Sequence, residues 1–165
     1  MGGNDIFNVN ITWFKSHVKR IVNLTDNFQQ AWYYKVDRDS VYTNFRMVKP
    51  HFKQEPFLSL LPNNCIVTLL RFRATNNFLP VNGLRYQNID RHERVCTKCA
   101  LNEVGDELHV ILVCQFFSAK RNEILPKYYN SRPNAIKFQS LMSSTHKQLL
   151  LKLKHCISFI YNETR

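Results

Sequence analysis

The chain has 165 residues, 44% of them hydrophobic, enough for one domain, or one and a half, with a real core. Lys and Arg outnumber Asp and Glu by 23 to 12, and the resulting formal charge of +11 favours partners that carry phosphates. No run of about 18 apolar residues predicts a membrane span. The start Met1-Gly2-Gly3-Asn4-Asp5-Ile6 lacks the Ser or Thr of a myristoylation signal. No secretory leader is legible, so the expected address is intracellular, nucleus or cytoplasm, and the sequons at Asn10, Asn23 and Asn162 read as coincidence.

From residue 11 to 33, Ile11, Phe14, Val18, Ile21, Phe28 and Trp32 fall near helical spacing with Lys15, Lys19 and Arg20 between them. This predicts an amphipathic helix whose aromatic stripe belongs to a core. Residues 35–62 are weakly periodic and hold Pro50, Pro56 and Pro62, which predicts short elements and loops. Residues 1–62 thus form an N-terminal helix and linker region. Asn63 and Asn64 can cap a helix carrying Cys65, Ile66, Leu69 and Leu70, with Arg71 and Arg73 at its far end. Pro80 and Gly83 then predict an irregular, arginine-bearing connector.

Residues 96–114 read Cys-x2-Cys-x9-His-x4-Cys. Two cysteines separated by two residues can aim both sulfurs at one point from a tight turn, and Zn2+ prefers four tetrahedral nitrogen and sulfur ligands. Cys96, Cys99, His109 and Cys114 are therefore the expected ligands of a structural zinc ion, with no coordination position left for a substrate. Disulfide pairing or plain buried thiols are the alternatives. Five cysteines are an odd count, and an odd count without a secretory leader argues against disulfides. Cys65 and Cys156 lie in apolar stretches and read as core thiols.

Gly105-Asp106-Glu107 looks like a helix start with Asp106 as its cap. His109 and Cys114 are five residues apart, so an ideal α-helix would separate them by roughly 140° around its axis. The helix must end or distort near Val113 for both to reach one metal. The segment 63–130 is thus a zinc-knuckle core. A helix over 116–129 and a shorter one over 134–143 are expected next. Thr145 and Gln148 then suggest a capping box for a last helix that buries Leu149, Leu150, Leu153, Ile157 and Ile160, with His146 and His155 as surface or packing residues and not ligands. Residues 131–165 form the C-terminal helical region, and the fold class is mainly α, a small helical domain clamped by a Cys3His knuckle.

Residues 65–100 hold six Lys/Arg against two Asp/Glu, the densest basic excess in the chain. Arg71, Arg73, Arg85, Arg91, Arg94 and Lys98 are the candidates for gripping phosphates, because a guanidinium fork suits phosphate oxygens. A solvated basic face without a partner is the plainer alternative. Polymerase chemistry needs clustered carboxylates holding two metal ions, and no Asp-Asp pair is present. His92-Glu93 beside Cys96-x2-Cys99 does not match a zinc deaminase, which places His-x-Glu well upstream of Pro-Cys-x2-Cys. With four glycines there is no phosphate-binding loop or nucleophile elbow. The chain reads as a non-enzyme.

The stretch Leu70-Arg71-Phe72-Arg73-Ala74-Thr75-Asn76-Asn77, then Leu79-Pro80-Val81, Cys96-x2-Cys99, Gly105-Asp106-Glu107-x-His109-x4-Cys114, Phe116-Phe117 and Arg121 resembles the carboxy-terminal zinc-binding region of animal non-LTR (LINE-type) retrotransposon reverse transcriptases. The likeness covers roughly residues 35–160 and continues through Pro126-Lys127-Tyr128-Tyr129 and Lys137-Phe138-x2-Leu141-Met142. The resemblance implies Cys96, Cys99, His109 and Cys114 as Zn2+ ligands, a location outside the polymerase core, and RNA or DNA as partner. It also implies association with a polymerase portion encoded elsewhere. Asn77, Asn82, Tyr86 and Gln115 stand where such sequences often have His, Glu, Trp and Pro, so the ligands persist while their surroundings drift. The function expected is a zinc-stabilised accessory module that binds nucleic acid without reading sequence. The competing reading is a structural or protein-interaction remnant of a transposable element.

Overall fold

The pattern Leu150, Leu153, Cys156, Ile157 and Ile160 repeats at three and four residues, so a helix across it collects these side chains on one stripe. In the computed structural model, which describes residues 29–31, 43–49, 54–74, 77 and 79–164, all five are buried on a helix Lys147–Thr164. Complete burial of one such aliphatic side chain contributes about 1.5–3 kcal/mol. The stripe is therefore a continuous apolar seam of the core among the described residues.

The chain divides into two units, Met1–Arg38 and Asp39–Arg165, and every element from Thr43 onward belongs to the second. The helix anticipated over 11–33 lies outside the described residues except for 29–31, which are helical. The second unit runs α1 (Thr43–Val48), α2 (Phe57–Leu60), α3 (Asn63–Arg73), α4 (Pro80–Gly83), α5 (Ser118–Ile124), α6 (Lys127–Asn130), α7 (Ala135–Met142) and α8 (Lys147–Thr164). Between α4 and α5 come the 3-10 turns Leu84–Gln87 and Arg91–Glu93 and the π-helical turn His109–Val113. The fold is mainly helical, and among the described residues the nearest thing to a strand is one antiparallel bridge, Val95 to Val104. No described helix is long and apolar enough to cross a membrane.

α8 packs against α3, α5 and the π turn, while α1 packs on α3 and α7. Phe72 of α3 meets Tyr161 at 6.1 Å between ring centroids, and Phe117 meets Phe159 edge-on at 6.3 Å. Contacts also cross the segment limits read from the sequence at 62/63 and 130/131, since α1 lies on α3 and α6 on α7.

Several ends differ from the sequence expectation. α3 begins after Pro62, whose extended backbone occupies the cap position, so Asn63 and Asn64 are its first helical residues and not its cap. Pro80 opens the short helix α4 at its first position, where a missing N–H costs nothing, and so the connector is more regular than Pro80 and Gly83 suggested. The helix expected over 116–129 is interrupted at Leu125-Pro126, because Pro126 has no amide hydrogen for the ladder. At the start of α8 the Thr145/Gln148 capping box gives way to His146, whose Nδ1 accepts from Leu149 N at 3.4 Å. Asn134 does cap α7, its Oδ1 accepting from Lys137 N at 2.9 Å. Cys65 and Cys156 are buried thiols of α3 and α8, and burial pushes Cys156 up to about 11.

Candidate metal centre

A short hairpin-like knuckle carries the first two cysteines. The Val95–Val104 bridge is flanked by Cys96 N donating to Glu103 O at 2.8 Å and Gly105 N donating to Arg94 O at 2.8 Å. Asn102 turns the chain back with φ of +51°, a left-handed conformation that asparagine tolerates better than most residues. Gly105 is required by crowding: a Cβ there would lie 2.9 Å from Pro80 Cγ and 3.2 Å from Cys96 Cα. Any side chain at 105 would therefore push α4 away from the first metal-site cysteine.

The second ligand pair comes from the π turn. Asp106 Oδ1 accepts from His109 N at 3.0 Å and starts the turn, as the sequence suggested. Cys114 N then donates to His109 O at 2.7 Å, an i to i+5 closure that widens the helix by one residue per turn. This resolves the five-residue spacing, since the wider turn and the departure of the chain at Cys114 (φ −53°, ψ 124°) return Cys114 to the His109 face. Val110, Ile111 and Leu112 of the same turn are buried and anchor it to the core.

Together these elements bring the ligand atoms of Cys96, Cys99, His109 and Cys114 within 4.8 Å of one another. The Cys96 and Cys114 sulfurs are 3.8 Å apart, and Cys99 Sγ lies 3.3 Å from His109 Nε2. A tetrahedral ion with Zn–S of about 2.3 Å and Zn–N of about 2.0–2.1 Å has edges of roughly 3.8 Å and 3.5 Å respectively. The donor set and its spacing fit a metal such as zinc. Cys96, His109 and Cys114 are buried and Cys99 is half-buried. Burial pushes the Cys114 thiol up to about 12, so a thiolate there requires a neighbouring cation.

Two residues to which the sequence reading gave no role, Glu103 and Arg121, complete the surroundings. Glu103 Oε2 lies 3.1 Å from His109 Nδ1, an arrangement that fixes the imidazole tautomer with Nε2 facing the sulfurs. Its signal was an acidic residue inside the knuckle itself. Arg121 is buried and donates from Nη1 to Cys114 O at 3.1 Å, and its Nε has no hydrogen-bond acceptor among the described residues. Burial pushes its guanidinium down, while the Cys156 and Cys114 thiols pull it back up. A divalent ion with three thiolates and a neutral imidazole carries one net negative charge, and Arg121 is placed to balance it.

A second polar cluster stands behind the turn. Glu107 is buried and accepts from the amides of Asn44 at 2.8 Å, Asn77 at 2.9 Å and Asn82 at 3.2 Å. Burial holds its carboxyl above the ordinary range, against the lowering effect of the Asn77 and Asn44 bonds. The cluster ties α1, α4 and the segment after α3 to the start of the π turn.

The six cations expected to meet phosphates divide into two sets. Arg73 is 7% exposed: Nη1 donates to Glu55 at 3.0 Å, Nη2 donates to Met142 O, and the guanidinium lies 4.6 Å over the Phe57 ring. The assignment of Arg73 to phosphate binding is thereby corrected, because its fork is spent joining α2, α3 and α7. Arg91 pairs with Asp106 at 2.9 Å, and Arg94 donates to Ile89 O at 2.7 Å and Val81 O at 3.0 Å, so both hold the knuckle in place. Arg71 and Lys98 are exposed, and Arg85 lies 4.9 Å over the outward-facing Tyr86 ring. Lys98 stands 5.7 Å over Phe116. Comparison of the chain with protein-family models, curated proteins and solved structures finds no significant match.

Proposed function

We propose that the chain is a zinc-stabilised accessory module that binds RNA or DNA without reading sequence and does not polymerise. In this reading it resembles the tail of a non-LTR retrotransposon reverse transcriptase. The observation that carries the proposal is the closed Cys3His cluster with exposed Lys98 between its first two cysteines and half-buried Arg85 over the exposed Tyr86 ring. When bound, zinc supplies a fixed tetrahedral anchor and no open coordination position. The protein does the rest: Glu103 orients His109, Arg91 and Arg94 brace the knuckle, and Arg71, Arg85 and Lys98 meet phosphates as point charges and forks.

Titration with unrelated RNA and DNA duplexes and strands at two salt concentrations tests this. Replacing Arg71, Arg85 and Lys98 together with Ala should weaken all of them alike, and each lost phosphate contact should flatten the log–log salt slope by about 0.7–0.9. Affinity and slope equal to wild type would remove the nucleic-acid reading. With template, primer, nucleotides and magnesium, no extension is expected; extension abolished by changing this chain's own carboxylates would overturn the non-enzyme reading.

A hollow of about 310 Å³ between α1, α2 and α3, lined by Val48, Leu58 and Leu70 among others, favours the second reading. There the module is a structural or protein-interaction remnant of a transposable element, with a polymerase portion encoded elsewhere as its partner. Undiminished binding of such a partner by the triple variant, with no nucleic-acid affinity in wild type, would select it.

A further inference from the structure

A cleft of about 330 Å³ opens between the Cys96–Cys99 turn and the 3-10 turn Leu84–Gln87. Leu84, Val110 and Phe117 supply apolar surface, and Thr97, Lys98 and Gln87 supply hydrogen-bonding and charged groups. No carboxylate is among the residues lining it. Tyr86, on the same 3-10 turn, is 79% exposed with the Arg85 guanidinium over its ring, and Phe116, 49% exposed, carries Lys98 in the same way. Large aromatic rings held outward beneath cations are costly to leave in water and suited to stacking.

We infer that this cleft receives an unpaired nucleobase, which makes single-stranded nucleic acid the preferred ligand class. The inference rests on the nucleic-acid reading above and specifies its ligand. Three features converge on it. At the lower end of the ~300–1,000 Å³ typical of small-molecule pockets, the cleft has room for one planar ring system and none for a duplex. Its apolar walls with an amide and a hydroxyl at the rim match a base, which has two π faces and polar edges. Lys98 and Arg85, without opposing carboxylates in the lining, attract the phosphates on either side of that base. A paired base cannot enter, so a duplex would engage only the cations.

Gly83 provides a direct probe. It lines the cleft, and a Cβ added there meets nothing within 4 Å, so Gly83→Leu projects bulk into the space without a clash at the backbone. The experiment measures affinity of the zinc-loaded full chain for three probes of equal length, about 12 nucleotides and within the ~4–16 range of single-strand sites. These are a natural strand, its duplex, and an abasic strand that keeps the phosphates and lacks the bases, each in ribose and deoxyribose form. The expected result is a preference of about 5- to 150-fold for the natural strand over the abasic one, the range of base–aromatic stacking. Gly83→Leu should collapse that preference and Gln87→Ala should reduce it, both leaving abasic affinity and zinc content unchanged. The ribose and deoxyribose arms show which sugar the cleft accepts. Equal affinity for natural and abasic strands, or an undiminished preference in both variants, overturns the base-binding inference and leaves the phosphate reading intact. No binding to any of the three probes by wild type overturns both. Because Gln87 lines the cleft and is exposed, Gln87→Ala, which removes the amide at its rim, decides the matter even where Gly83→Leu fails to fold.

Discussion

The knuckle at residues 94–114 and the helical scaffold around α8 reach rigidity by opposite routes. The scaffold buries a continuous apolar stripe, Leu150, Leu153, Cys156, Ile157 and Ile160, against α3 and α5. Ahead of its π turn the knuckle has a single bridge and no buried hydrophobic side chain but Cys96, so it relies on the four converging side chains and a ring of polar contacts from Glu103, Asp106, Arg91 and Arg94. The π turn belongs to both, since His109 faces the ligands while Val110, Ile111 and Leu112 face the core. Damage to the metal site should therefore propagate inward through this turn, whereas moderate damage to the scaffold should leave the ligands in place.

The largest expected effect follows from removing a ligand. Structural zinc contributes an apparent ~10–16 kcal/mol at neutral pH in small zinc domains. Cys99→Ser should lose stoichiometric metal, expose the amides of residues 95–114 to hydrogen exchange and lower the melting temperature. Retained protection of those amides in metal-free protein would mean that the knuckle holds itself.

Next in size is Arg73→Ala, which leaves Glu55 with Lys49 alone, removes the donor to Met142 O and empties a site over Phe57; removal of one member of a buried pair costs up to about 3–5 kcal/mol. Zinc content should stay at wild type. Nucleic-acid affinity should also stay unchanged, the opposite of what a phosphate-binding arginine would do. Leu153→Ala probes the seam alone and should cost about 2–5 kcal/mol in denaturant unfolding with metal retained. Loss of zinc from folded Leu153→Ala protein would show that the two regions are one cooperative unit.

Glu103→Gln sharpens the comparison from the other side. Loss of an outer partner of a ligating histidine typically weakens metal affinity by about 10–100-fold, so competition with a chelator should detect it while scaffold stability at saturating zinc hardly moves. The smallest effect is the pH dependence of the Glu55 pairing. Burial raises the Glu55 carboxyl, but the Lys49 bond and the Arg73 charge outweigh it, so the folded value lies below the ordinary one of about 4.3. The folded state then binds fewer protons, and the contribution is present above about 4.3 and lost as pH falls through the lower folded value. The melting difference between wild type and Glu55→Gln should accordingly shrink on acidification from pH ~5 towards ~3. A constant difference would show that the carboxylate charge plays no part.

The Cys3His cluster was legible because it forms a local pattern: two cysteines at a turn, and a five-residue step from His109 to Cys114 that a regular helix cannot accommodate. The helical stripe of α8 was legible for the same reason, its contacts being encoded in its own periodicity. The roles of the arginines were not. Arg73 and Arg71 look alike in sequence, and what separates them is a carboxylate 18 residues earlier in Glu55 and a carbonyl at Met142. Glu107 reads as a helix-start residue, yet its partners are Asn44, Asn77 and Asn82, spread across 39 positions of chain. Long-range polar pairing carries no period, so it becomes visible only when the fold brings the partners together.

The most direct test of the account is the metal content of the purified, folded chain, measured by elemental analysis beside the thermal stability of wild type and Cys99→Ser. The account predicts one zinc per wild-type chain, with zinc and stability both lost in the variant. Well-folded wild-type protein without zinc, or a Cys99→Ser protein with full zinc and unchanged melting temperature, would contradict it.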